Sequence, residues 1–291
     1  MIDQLKIIGQ YILPKHLVTL IAGKLANAKM GGFTTFLINQ FIKKFKIDMS
    51  EAKYSEASDF DTFNDFFTRE LKEGLRPIVE GDNNLATPVD GCVSQQGNIT
   101  EGRIFQAKGH DFGLRELLGG SDDIAAPFDD GIFSTVYLAP KDYHRIHMPI
   151  TGKLEKLVFI PGDLFSVNPL TAENVPNLFA RNERAVAIFS TSLGPMAMVL
   201  VGATIVGSIE TVWEGTLKTQ KGREIQNWDY QDQEIVLEKG EEMGRFKLGS
   251  TIVALFPKDS IEFSEDLAPS SVTRLGELFA IVKNSDETSI S

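Results

Sequence analysis

The fold is decided by an uncharged stretch at residues 185–209, AVAIFSTSLGPMAMVLVGATIVGSI. The stretch is long enough to cross a bilayer whose hydrocarbon core is about 30 Å thick. However, Gly194 and Pro195 interrupt it near its middle, and β-branched residues such as Val199 and Val201 follow the break. β-Branched residues favour strands, and a Gly-Pro pair favours a turn. The stretch therefore predicts two buried strands joined by a turn rather than a membrane-spanning helix.

Similar runs on both sides of this stretch extend the prediction over residues 76–291. Each run is short, rich in β-branched or aromatic residues, and bounded by Gly, Pro, Asp or Asn: Ile132–Leu138, Lys156–Ile160, Glu234–Leu237 and Thr251–Phe256. Many short strands with regular turn residues are typical of antiparallel sheets. We expect a mainly antiparallel β sandwich or barrel core.

Residues 1–75 have helical periodicity instead. One predicted helix, Asp61–Lys72, repeats Phe and Leu at helical spacing and ends before Gly74. Another, Phe33–Lys46, has a broad apolar face formed by Phe33, Leu37, Ile38, Phe41, Ile42 and Phe45. The expected fold class is therefore α+β, with N-terminal amphipathic helices followed by the β core.

The charge is distributed unevenly along the chain. Residues 1–48 contain seven Lys and two acidic residues, a net charge of +5, whereas the remainder contains 22 basic and 38 acidic residues, a net charge of −16. A basic and apolar segment is typical of a surface that attracts anionic lipid. The segments Leu17–Ala22 and Phe33–Lys46 are thus a candidate interfacial helix pair. The alternative is a helical hairpin packed on the protein's own core.

The composition excludes several classes of protein. With 42% hydrophobic and 24% charged residues, the chain is not mainly disordered. A single cysteine, Cys92, excludes an intramolecular disulfide and a multi-cysteine metal site. The net charge of −11 argues against nucleic acid as a partner. Because the first residues lack the pattern of a secretory signal, we expect a cytosol-facing protein.

Three segments contain residues that could perform chemistry. His144 and His147 are three apart, so on a regular strand they would face opposite sides. Asp90 precedes a glycine, which is also ordinary turn chemistry. Gly249 and Ser250 place a hydroxyl beside a carbonyl that no Cβ shields. Taken alone, these residues fit a nucleophilic site, a metal site formed by the acid and the two histidines, or structural roles.

Several segments together resemble the bacterial phosphatidylserine decarboxylase proenzyme family, whose members are pyruvoyl-dependent enzymes of phospholipid synthesis. The resemblance covers most of the chain, and its most specific motif is the maturation site Leu248–Thr251. The other matching segments are Phe63–Phe67 followed by Arg69–Leu71, Pro88–Gly91, Tyr143–Pro149, Leu164–Asn168, Asn174–Arg184 and Val201–Gly207.

The resemblance implies that the chain cuts itself between Gly249 and Ser250. The products would be a β chain of residues 1–249 and an α chain of residues 250–291, with Ser250 converted into a pyruvoyl group. The family's Asp-His-Ser arrangement maps onto Asp90, His147 and Ser250. His147 would deprotonate the hydroxyl, and Asp90 would orient the imidazole. His144 is implied as a proton donor or substrate-positioning group in decarboxylation.

The implied reaction converts phosphatidylserine to phosphatidylethanolamine and CO2, with the pyruvoyl ketone as electron sink. The substrate would stay in an anionic membrane, so the enzyme would bind peripherally at the cytoplasmic face of the inner membrane, with residues 31–46 interfacial rather than core. The α and β chains would remain associated, and a homodimer is one further option. The competing interpretations are a metal-dependent hydrolase using Asp90, His144 and His147, an uncut serine hydrolase using Ser250, and a non-catalytic lipid-binding β protein.

Overall fold

Helices occupy the N-terminal part of the chain and a few short connections. A computed structural model describes residues 2–204, 208–218, 224–247 and 250–283. Three turns of 3-10 helix, at Met49–Glu51, Ala57–Asp59 and Ala126–Phe128, accompany the α-helices. The α-helices are α1 Ile2–Ile12, α2 Lys15–Ala26, α3 Gly32–Phe45, α4 Phe63–Phe67, α5 Leu114–Leu117, α6 Asp122–Ala125, α7 Pro169–Ala172 and α8 Leu178–Arg181.

Helix α4 is shorter than the predicted helix Asp61–Lys72. It begins at a capping box, in which the Thr62 hydroxyl accepts from the Asp65 N–H and the Asp65 carboxylate accepts from the Thr62 N–H. It ends early because residues 70–72 hydrogen-bond to residues 51–53: Lys53 N–H donates to Glu70 O, and Lys72 N–H to Glu51 O. A tertiary pairing therefore takes the backbone groups that a longer helix would use.

The remainder of the chain is mainly strand. The strands are β1 Asn84–Ala86, β2 Gly91–Asn98, β3 Arg103–Ala107, β4 His110–Gly113, β5 Ile132–Leu138, β6 Arg145–His147, β7 Gly152–Ile160, β8 Arg184–Thr191, β9 Gly194–Val201, β10 Ile209–Thr211, β11 Gly215–Thr216, β12 Gln226–Asp229, β13 Val236–Leu237, β14 Glu242–Phe246, β15 Ser250–Phe256, β16 Ile261–Phe263, β17 Val272–Thr273 and β18 Leu278–Val282.

These strands form four sheets, and every pairing between them is antiparallel. The largest has the order β12-β7-β8-β9-β15-β5-β2-β17, with β13 also paired to β7. The others are β11-β10-β14-β6, β1-β18-β16 and β3-β4. In the part of the chain that the structure describes, the largest sheet is open, so the α+β class is confirmed but the barrel option is not observed.

The stretch at residues 185–209 forms strands, as predicted. Strands β8 and β9 pair along their whole lengths, from Arg184↔Val201 to Thr191↔Gly194, and both lie in the core. Gly194 has a φ of +91°, which suits the tight turn between them. Residues 205–207 lie outside the described residues. No helix within the described ranges is long and apolar enough to cross a membrane.

A second, smaller core corrects most of the expectation that residues 31–46 are interfacial rather than core; only the large apolar side chains of Phe33 and Phe36 stay exposed in that segment. Ile38 is fully buried among Phe60, Phe66 and Phe67, and most of the apolar face of α3 packs on the same cluster. That face satisfies its need for burial inside the protein. The large apolar side chains that stay exposed on the helices lie mostly on α1 and α2, with two at the start of α3: Ile8, Tyr11, Ile12, Leu17, Leu20, Ile21, Leu25, Phe33 and Phe36.

Candidate active site

The sheet register places two of the predicted site residues at the same end of the largest sheet. Tyr137 on β5 pairs with Cys92 on one side and with Thr251 on the other. Because both neighbours run antiparallel to β5, β2 and β15 begin at the same edge. Adjacent strands are about 4.8 Å apart, so the starts of β2 and β15 are separated by about 10 Å. Asp90 directly precedes β2, and Ser250 is the first residue of β15.

The histidine segment lies against this edge. The His147 N–H donates to the Pro88 carbonyl at 2.9 Å, which joins β6 to the turn that contains Asp90. The Phe246 N–H donates to the His144 carbonyl at 3.1 Å, which joins the same segment to the end of β14. Strand β14 leads within three residues to β15. Backbone pairing thus brings together three segments that are distant in sequence.

His147 is held as a neutral, oriented imidazole. Its Nδ1 lies 2.8 Å from the Gly240 carbonyl, which can only accept, so Nδ1 carries the proton. Its Nε2 lies 3.4 Å from the Tyr143 hydroxyl. Burial lowers the pKa of His147 below its ordinary value, although the Gly240 carbonyl opposes the shift. With Nδ1 protonated, the lone pair is on Nε2, where it faces the Tyr143 hydroxyl and can take a proton near neutral pH.

Asp90 has partners other than the predicted one. Arg76 donates to its carboxylate from Nε at 3.1 and 3.2 Å and from Nη2 at 2.7 Å, and the Leu275 N–H donates at 2.8 Å. The hydrogen bonds to Asp90, together with those to Glu51, raise the pKa of Arg76 despite partial burial. Among the described residues, the imidazole of His147 is hydrogen-bonded to Gly240 and Tyr143 and not to Asp90. The charge of Asp90 raises the pKa of His147, but by less than the Gly240 carbonyl and Glu242 do.

His144 is completely enclosed. Its ring stacks on Phe67, with centroids 4.1 Å apart and planes inclined by 24°. Neither ring nitrogen has a hydrogen-bond partner in the part of the chain that the structure covers; the Ala139 backbone lies close by but outside hydrogen-bond geometry. Burial, and after it the positive charge of Arg69, lower the pKa of His144 to about 3. A neutral imidazole is therefore present throughout the physiological range.

Ser250 begins β15 opposite Leu138, while Leu248 and Gly249 lie outside the described residues. Sequence reasoning missed Gly240 and Arg76 because they are 93 and 14 residues away from the groups that they contact. Tyr143 could have been found, since it precedes His147 by four residues within the same motif.

In the ranges that the structure describes, no three or more His, Cys, Asp or Glu side chains are grouped so as to hold a metal ion.

Comparison with known proteins gives a consistent result. The family model described as phosphatidylserine decarboxylase matches residues 63–281, and a second model described as PSD matches residues 5–46. A protein of Psychromonas ingrahamii named phosphatidylserine decarboxylase proenzyme is 75% identical over 96% of this chain and 98% of its own length. A protein of the same name from Shewanella pealeana is 60% identical over 97% of this chain and 100% of its own length. Another from Idiomarina loihiensis is 59% identical over 98% of this chain and 99% of its own length. The resemblance noted from the motifs is confirmed, and the chain belongs to the phosphatidylserine decarboxylase family.

Proposed function

We propose that this chain is the precursor of an enzyme that converts phosphatidylserine to phosphatidylethanolamine and CO2 with a pyruvoyl group made from Ser250. The observation that supports this proposal is the backbone pairing that joins the segments of Asp90, His144 and His147 to the edge where β15 begins. The family membership supports this reaction and gives no support to a metal-dependent hydrolase or a non-catalytic lipid-binding protein.

The first step is self-cleavage between Gly249 and Ser250. Nε2 of His147 removes the proton of the Ser250 hydroxyl, and the oxygen attacks the Gly249 carbonyl carbon to replace the amide with an ester. The Gly240 carbonyl keeps the imidazole in the required tautomer, and the charge of Asp90 favours the imidazolium that forms. Loss of the Ser250 α-proton expels the Gly249 carboxylate, and water then releases ammonia to leave a pyruvoyl group.

The position of residue 250 suits that group. As the first residue of a central strand, it would become the N-terminus of the α chain while the ladder from Thr251 onward holds it to β5 and β9. A pyruvoyl group supplies an electron sink for decarboxylation. His144 would be the proton donor or substrate-positioning group in decarboxylation; because its ring is neutral, it would act through its N–H rather than as an imidazolium.

The same proposal divides the chain into residues 1–75, which contact the membrane, and residues 76–291, which form the catalytic domain. The exposed apolar side chains of α1 to α3 support this role, as do the exposed lysines Lys24, Lys43 and Lys44. Lys15 does not contribute, because it is buried with its ammonium 3.3 Å from the Phe165 ring centre.

We place the enzyme peripherally on anionic lipid at the cytoplasmic face of the inner membrane. The homodimer stays a prediction, which light scattering tests.

Intact-mass analysis of the purified protein tests the reaction class. We expect two chains that correspond to residues 1–249 and 250–291, and the smaller chain should lack a free α-amine. Borohydride should increase the mass of the smaller chain by two hydrogens, because it reduces the ketone. A single chain of residues 1–291 with full decarboxylase activity would contradict the proposal.

Membrane contact is tested by the double substitution Leu20→Ser and Ile21→Ser on α2. Both side chains are more than half exposed, so the fold should tolerate the change. Losing two aliphatic contacts with lipid should weaken binding to vesicles with anionic headgroups about 10-fold or more. Sedimentation with vesicles measures this. The matched control replaces Val212 and Val236 with serine, because these two side chains are similarly exposed but lie within residues 76–291. Equal binding by both variants would remove α2 from the membrane-contacting surface.

A further inference from the structure

The chain changes sheets at the predicted cleavage site. Strand β14 ends at Phe246 in the four-stranded sheet, and β15 begins at Ser250 in the largest sheet. Three Cα–Cα steps join Lys247 to Ser250, so their Cα atoms are at most about 11 Å apart. The position of Lys247 therefore restricts where the peptide between Gly249 and Ser250 can lie in the uncut chain.

Lys247 is held in place by a backbone hydrogen bond and by the ion pair and hydrogen bond of its side chain. Its N–H donates to the Ser208 carbonyl at 3.1 Å, which continues the ladder between β10 and β14 by one residue. Its ammonium lies 2.5 Å from the Glu210 carboxylate and 3.1 Å from the Thr216 hydroxyl. Its side chain is about one-fifth exposed, and that of Glu210 about one-quarter. Partly buried charge pairs with additional hydrogen bonds hold a side chain in one geometry better than fully exposed pairs do.

Glu210 is itself fixed from both sides. In the sheet register it lies between Thr216 on β11 and Arg245 on β14. The Thr216 hydroxyl donates to it at 2.9 Å, and Arg245 Nε lies 3.7 Å away. Burial opposes ionisation, but the hydrogen bonds from Lys247 and Thr216 lower the pKa of Glu210 overall. The acceptor for Lys247 is therefore a positioned carboxylate.

The charges continue from Glu210 to the histidine segment. Arg245 lies 2.7 Å from Glu242, and Glu242 lies 3.0 Å from Arg145, which sits between His144 and Ile146 on the segment that carries the base. The Arg145 Nε also donates to the Thr68 carbonyl, next to the helix that covers His144. One connected set of ion pairs thus ties Lys247, two residues before Gly249, to the segment that carries His147.

We propose that the Lys247–Glu210 ion pair is a positioning clamp for self-cleavage, which holds the end of β14 so that the Gly249 carbonyl meets the Ser250 hydroxyl. The inference rests on the proposed function. Lys247 and Glu210 are positioning residues and take no part in the proton transfers. Once the bond after Gly249 is cut, the clamp no longer determines the position of residue 250, which β5 and β9 hold. The clamp therefore affects maturation and not turnover by the mature enzyme.

The test follows loss of the precursor during pulse-labelled cell-free synthesis. Lys247→Met and Glu210→Gln should each slow cleavage about 10-fold, because small misplacements of reacting groups cost large rate factors. Lys247→Arg, which retains the charge, should be cut at a rate close to that of the parent chain. The double variant Lys247→Met and Glu210→Gln should be no slower than either single variant, as expected for groups that act as a pair. Turnover per mature chain should be unchanged in all of them.

Lys153→Met is the matched control, because Lys153 on β7 pairs with Glu234 at 2.9 Å and lies in the largest sheet rather than in the sheet of β14. It should be cut at the parental rate. Cleavage of Lys247→Met at the parental rate would overturn the clamp proposal. So would a double variant in which the slowing of the two single variants adds up. Slowing of Lys247→Arg as large as that of Lys247→Met would also overturn it. An uncut parent chain would overturn the proposed function as well, so the two failures are distinguishable.

Discussion

Replacing Ser250 with alanine should leave a single uncut and inactive polypeptide. Alanine has no hydroxyl to attack the Gly249 carbonyl, so neither the ester nor the pyruvoyl group can form, and the loss of processing should be complete. Residue 250 pairs with Leu138 through its backbone, which alanine preserves, so the sheet should remain intact. Intact mass and decarboxylase activity measure the two effects.

The adjacent hydroxyl provides the control for this substitution. Thr251 is buried on the same strand, and its Oγ1 has no hydrogen-bond partner within the described part of the chain. Thr251→Val has almost the same shape and should be cut and active. Two chains in the Ser250→Ala variant would show that another group supplies the nucleophile.

The second large effect separates the two histidines. His147→Ala should slow self-cleavage by about 10²- to 10⁴-fold, the usual contribution of a general base. The physical reason is that Nε2 of this ring is the available acceptor, since Nδ1 is occupied by the Gly240 carbonyl. Quantifying uncut precursor against time gives the rate.

His144→Ala should instead be cut and then turn over substrate about 10²-fold or more slowly, since the ring would serve the later proton transfer. His144 is fully buried against Phe67, so removing the ring opens a cavity, and His144→Gln should be measured beside it. His110→Ala, on β4, is the matched control and should be normal in both assays. Normal cleavage in His147→Ala together with a block in His144→Ala would mean that the two roles are reversed.

The histidine spacing shows where sequence reasoning reached its limit. A separation of three residues on a regular strand predicts opposite faces, and the structure gives the two rings different surroundings: Phe67 covers His144, whereas Tyr143 and Gly240 contact His147. The resemblance also suggested that Asp90 orients His147. In the structure, the Asp90 carboxylate accepts hydrogen bonds from Arg76, and the backbone carbonyl of Gly240 orients the His147 ring. Residue type alone does not distinguish these acceptors.

The N-terminal helices carry a similar lesson. Periodicity identified the apolar face of α3 correctly, but a face that seeks burial does not specify its partner. The apolar face of α3 is covered by the cluster of Phe60, Phe66 and Phe67. The large apolar side chains left exposed belong mostly to α1 and α2. Likewise, the predicted helix Asp61–Lys72 is cut short at Phe67, because residues 51–53 pair with its second half.

The sequence by itself determined the α+β class, the two strands within residues 185–209, the reactive residue types and the family, because hydrophobic periodicity, turn residues and motifs are local properties of a chain. Only the tertiary structure decided which groups surround those residues. The Gly240 carbonyl on His147, Arg76 on Asp90 and the ion pairs that fasten Lys247 all join residues distant in sequence. Such contacts depend on sheet register, which the hydrophobic patterns and turns of several paired strands specify together rather than any one segment alone.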